Sequence, residues 1–202
     1  MATFRALAAL FFGAGLVLPA AAADFSDPTW PCIQRKVERL SPGLMWPAPL
    51  EEVTLAPEVE SAVEDLVARL ALRRTEVEDL QPIVSDFTRE NGADPALLGE
   101  VFSRVFTRMA RTRSAIIKGI EDYSLQQIAL AEKIDAARTE MTALMQADAP
   151  DFDKVDALEE QVDWDERIFI DRQRSLTYVC ETPVLLEKRL YAIAQLLQDA
   201  QG

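Results

Sequence analysis

The sequence predicts an all-α protein built on a long antiparallel helical hairpin, and three observations carry the prediction. One heptad seam runs Ile116, Ile120, Tyr123, Gln127, Leu130, Ile134, Ala137, Met141, Leu144. A second runs Val155, Leu158, Val162, Asp165, Phe169, Arg172, Leu176, Val179. Both alternate spacings of four and three, the pattern that keeps one edge of a helix facing a partner helix. Between them lies the break Asp148-Ala149-Pro150-Asp151. Its proline ends one helix, and its last aspartate can cap the return.

The chain opens with one basic residue, Arg5, followed by an apolar run from Leu7 to Leu18 and then Pro19 and a string of alanines. Ala21 and Ala23 fit the small-x-small rule for cleavage before Asp24, so residues 1–23 read as a Sec-type secretory signal peptide. The apolar stretch is too short, and charge resumes too soon, for a membrane anchor. No later segment is apolar enough to span a bilayer. The expected location is the periplasm or outside the cell.

Residues 24–56 are expected to form an extended arm, with at most a short helical turn around 32–40. Pro28, Pro31, Pro42, Pro47 and Pro49 forbid a long helix there. Trp30 and Trp46 are its anchors. Cys32 pairs with Cys180, because an exported chain with only two cysteines tends to join them. Closing so long a loop stabilises by roughly 4–5 kcal/mol in the chain-entropy model.

Residues 57–202 are expected to form a single helical-bundle domain. A first helix opens at Pro57, with Glu58 and Glu60 in its first turn and an apolar face of Val59, Val63, Leu66, Val67 and Leu70. Thr75 and Glu78 make a candidate capping box for a second helix. Pro82 should kink or shorten that helix, and Asn91-Gly92 should stop it. Asp94-Pro95 opens the longest helix, which can bend at Gly119. The return helix is expected to run to about Cys180. Thr182-Pro183 should then cap a separate final helix carrying Val184, Leu185, Leu186, Leu190, Ile193 and Leu197.

Folding the chain at about residue 149 sets a register in which Leu144 meets Val155, Met141 meets Leu158, Leu130 meets Phe169, Gln127 meets Arg172, Tyr123 meets Leu176 and Ile120 meets Val179. A polar pair inside an apolar seam fixes register at some cost in stability.

Composition excludes several chemistries. The chain has no histidine, which removes Ser-His-Asp and Cys-His nucleophile systems and the usual zinc, copper and haem ligands. Di-iron carboxylate bundles need Glu-x-x-His pairs, so that reading fails as well. There is no glycine-rich phosphate loop and no G-x-S-x-G elbow. The net charge is −13, and losing Arg5 with the leader adds one further negative unit. Such acidity opposes binding to nucleic acid or to anionic membranes. No catalytic residue, cofactor or metal is expected.

Three surface features remain as candidates. Tyr123, Gln126, Gln127, Arg172 and Tyr178 form a polar layer in the middle of the hairpin, a register device or a binding site. Arg104, Arg108 and Arg111 share a basic helical face, expected to pair with acids of the first two helices such as Glu64, Asp65, Asp86 or Glu90. The run Asp148, Asp151, Asp153, Asp156, Glu159, Glu160, Asp163, Asp165, Glu166 lacks the glycine and spacing of an EF-hand and reads as a solvated acidic tip.

Paired long helices behind a signal peptide resemble, in architecture, the small all-α periplasmic chaperones and stress sensors. Their Leu-Thr-x-x-Gln repeats are not found in this chain, so no site residue carries over. The expected function is a non-enzymatic exported interaction protein: an adaptor, an accessory subunit or a holdase-like chaperone with a protein partner in the periplasm. Homo-oligomers remain open. The alternative is a small-ligand or cation-binding protein using the polar middle of the hairpin.

Overall fold

The computed structural model describes residues 27–201. The expected leader and its cleavage site after Ala23 lie outside them. Among the described residues all regular structure is helical. Helix α1 spans Pro57–Leu70, α2 Gln81–Asn91, α3 Pro95–Met145 and α4 Phe152–Asp199. The arm before α1 is irregular apart from a 3-10 turn at Pro42–Leu44. No helical turn forms at 32–40, where the sequence allowed one; the turn comes later, where Pro42 sits at its first position.

The two long helices are antiparallel, and their ends obey the local chemistry. Asp94 caps α3 by accepting from the amides of Ala96 and Leu97, with Pro95 in the first turn where an N–H has no helical partner. Asp151 caps α4 by accepting from the amide of Lys154. Gly92 ends α2 at φ +91°, a conformation that side-chain-bearing residues avoid.

Two helix boundaries differ from expectation. Thr75 does not cap α2. A 3-10 turn at Glu78–Leu80 precedes the helix, which begins at Gln81 so that Pro82 falls in its first turn instead of its interior. A proline deeper in the helix would clash with the carbonyl four residues back. Second, Pro183 does not start a new helix. It lies inside α4, which runs unbroken through it. The buried stripe Leu176, Cys180, Pro183, Leu186, Leu190 keeps helical spacing across the proline, and packing on both sides outweighs the one backbone hydrogen bond that Pro183 cannot donate. The seam shifts accordingly: Val179 is exposed, and Cys180 takes the inward position.

The packing divides the hairpin into unequal parts. At its open end, α1, α2, the arm, the first half of α3 and the last third of α4 enclose one large core. Phe102, Leu70, Leu98, Leu190 and Ile193 are fully buried there, each contributing about 1.5–3 kcal/mol by leaving water. Trp46 of the arm stacks on Phe102 with ring centroids 5.0 Å apart. A small middle cluster joins Cys32, Ile120, Leu176 and Cys180. Toward the turn, a third cluster of Ile134, Ala137 and Val162, flanked by Leu130, Met141, Leu158 and Phe169, draws on α3 and α4 alone. Leu130 with Phe169, and Met141 with Leu158, thus share the layer that the seam register requires.

Candidate functional site

The arm is fastened to the helices at successive points. Cys32 and Cys180 form the expected disulfide, with Cα atoms 5.5 Å apart, and Trp30 packs beside it. Ser124, buried in α3, donates its hydroxyl to the Pro28 carbonyl at 2.9 Å. Lys36 bridges Asp27 at 2.9 Å and Glu121 of α3 at 2.5 Å. Its ammonium pKa rises because Glu121, then Asp27, accept its protons. The Asp27 carboxyl is held down at about 2 by hydrogen bonds from the Thr29 hydroxyl and from Lys36.

Lower on the arm, Arg113 is the central fastener. It is 3 % exposed, donates from Nη1 to the Val37 carbonyl at 2.6 Å and from Nε to the Pro183 carbonyl at 3.3 Å. Glu187 lies 3.7 Å from its Nη2. Burial pushes the guanidinium pKa down and Glu187 opposes the shift; arginine's high intrinsic pKa keeps it charged. Gln198 then donates to the Met45 carbonyl at 3.0 Å. Arg189 does the same work for the α1–α2 connection, donating to the carbonyls of Leu70, Leu72 and Thr75.

The expected basic face separates. Arg104 is enclosed by carboxylates, contacting Glu60 at 2.5 Å, Glu64 at 2.6 Å and Glu100 at 2.6 Å, and the Glu60 carboxyl is pulled below its usual range. That is the expected pairing with α1, made by Glu60 and Glu64; Asp86 and Glu90 bond Arg89 instead. Arg108 and Arg111 are exposed. Arg104 therefore ties α1 to α3.

The polar layer also divides. Gln127 is buried and donates from Nε2 to the Phe169 carbonyl across the hairpin at 3.0 Å, while its Oε1 is buried without a hydrogen-bond partner. Arg172, one turn further along α4, lies over the Tyr123 ring at 5.8 Å and not against Gln127. Both seam breaks sit at the expected level, but each finds a different partner: an amide suits a carbonyl, and a guanidinium suits an aromatic face. Gln126 and Tyr178 point into solvent. Cavities beside this layer are small: about 260 Å³ around Ile134, Arg138 and Phe169, and about 210 Å³ around Tyr123 and Leu176.

In the acidic run, Asp165 is buried in the seam with Lys133 Nζ 2.8 Å away. Glu166 contacts Arg138 at 2.5 Å, and Lys154 contacts Glu140 at 2.5 Å. These pairs clamp the two helices where apolar cover is thin. Among the described residues no group of three or more carboxylates or thiolates is placed to hold a metal ion, and no helix is long and apolar enough to cross a membrane.

Sequence reading missed Arg113, Ser124 and Lys133 as tertiary partners. Arg113 stood inside a basic stretch with no mark to separate it from Arg111. The available signal was its position one turn before Ile117 and two before Ile120, on the inward face of α3. No protein-family model, curated protein or solved structure matches this chain.

Proposed function

We propose that this is a non-enzymatic, exported interaction protein, serving as an adaptor, accessory subunit or holdase-like chaperone, and that its distal hairpin is the part that meets a protein partner. One observation carries the reading. Beyond the disulfide, α3 and α4 pack on one another alone, leaving outer faces on which Leu125, Trp164 and Ile170 are 52 %, 64 % and 46 % exposed. Apolar side chains spaced along a projecting two-helix rod suit a surface that another protein covers. The disulfide supports an oxidising compartment.

The test places a photo-crosslinking amino acid at Leu125 or Trp164 in the hairpin and, for comparison, at Thr88 in α2. Expected are adducts of one defined mass from the hairpin positions and none from Thr88. Adducts from Thr88 alone, or a co-purifying small molecule without protein adducts, would overturn the reading.

A further inference from the structure

Where the arm crosses the last third of α4, the two do not close on each other. The arm is pinned at Val37 by Arg113 and at Met45 by Gln198. Between these pins Leu40 packs partly on the main core, Arg39 and Leu44 stay exposed, and a groove of about 740 Å³ opens against α4. One wall is a single stripe of α4, Val184, Lys188 and Tyr191; the other is Arg39, Leu40 and Leu44 of the arm. The volume falls within the roughly 300–1,000 Å³ usual for small-molecule sites. Leu44 is 83 % exposed and Tyr191 52 % exposed beside it, so the groove offers apolar surface that nothing in the chain covers.

The rim charge selects the occupant. In a chain with net charge −13, this rim carries Arg39 and Lys188, and neither has a carboxylate within ion-pair distance among the described residues. The lining carboxylate, Glu187, is drawn toward the buried Arg113. An extended peptide would need backbone hydrogen-bond partners, and the arm presents no strand edge here. A neutral apolar molecule would leave both cations unused. We infer that the groove binds a single-chain anionic amphiphile of the fatty-acid class, its acyl chain along Leu40, Leu44 and Val184 and its carboxylate between Arg39 and Lys188.

The disulfide-bonded protein is titrated calorimetrically with palmitate below its micelle concentration, and with hexadecanol as the uncharged counterpart. Expected are saturable one-to-one binding of palmitate and binding of hexadecanol at least tenfold weaker. Arg39→Glu with Lys188→Glu should weaken palmitate at least tenfold, and Leu44→Glu should do the same from the apolar side. All three positions are exposed, and circular dichroism confirms that each variant is folded. Ile128→Glu in the distal hairpin is the control and should leave the affinity unchanged. Absence of palmitate binding, equal affinity for hexadecanol, or palmitate affinity unmoved by the groove variants overturns the inference.

Discussion

The open end of the hairpin and its distal half use the same two helices and are held by different means. At the open end α3 and α4 are two walls of a core that α1, α2 and the arm complete, with fully buried leucine, isoleucine and phenylalanine side chains. In the distal half each helix has one neighbour. Its apolar contact is a single seam between two helices, with the Lys133–Asp165 pair reaching into it and Arg138 and Lys154 fastening its margins. A heptad seam therefore specifies that two helices pair and in what register. It does not supply the depth of core that comes from a third and fourth element.

The largest expected effect separates the two regions directly. Phe102→Ala should cost about 3–5 kcal/mol in urea denaturation, because its cavity is walled on all sides. Ile134→Ala should cost about 2 kcal/mol, since a one-layer seam can collapse into the gap. Its loss should appear as faster hydrogen exchange in residues 125–170 while the open end keeps its protection. Equal global losses from both variants would make the two regions one cooperative unit.

The staple comes next. Replacing Cys32 and Cys180 by serine should cost about 2–4 kcal/mol, below the chain-entropy figure because the reduced chain retains structure, and expose residues 27–45 to proteases, with exchange in the distal hairpin unchanged. Smaller again is the seam ion pair. Lys133→Met should cost about 1–3 kcal/mol, because it leaves Asp165 buried without its cation, although Lys133 itself is half-exposed. Adding Asp165→Leu should return the melting temperature to near that of the parent. A double variant no better than the single would mean that the pair contributes net stability, not register.

The smallest effect is the acid response of the arm. The Asp27 carboxyl has its pKa lowered from 3.8 to about 2 by folding, so its contribution is complete above about pH 3.8 and is lost as pH falls through about 2. The Thr29 amide resonance, which reports its bond to Asp27, should shift across that window in the intact protein and stay flat in Asp27→Asn.

Most of the hairpin was legible in the sequence because heptad spacing is a local pattern with a single structural meaning. The caps at Asp94 and Asp151 and the stop at Gly92 were legible for the same reason, and the Cys32–Cys180 pair because the chain has only two cysteines to join. Pro183 was misread because a proline after a threonine is locally a start signal. Only the buried stripe running through it, a tertiary fact, shows that the helix continues. Arg113, Arg189 and Gln198 were illegible as fasteners because their partners are backbone carbonyls, which every residue carries. The groove between arm and α4 was invisible for a related reason: it lies between an irregular segment and a helix, and no residue pattern marks the space.

The disulfide joins residues 148 apart in sequence, one ahead of both long helices and the other well along the second. Bringing them together by chance would cost the unfolded chain the closure entropy of almost its whole length. Once α4 has returned along α3, the chain still to be ordered is only residues 33–94, and docking of the arm then sets the two thiols side by side. Oxidation is thus favoured in chains whose hairpin has paired and whose arm has docked. A native bond between residues so distant in sequence therefore reports at once on the hairpin and on the arm.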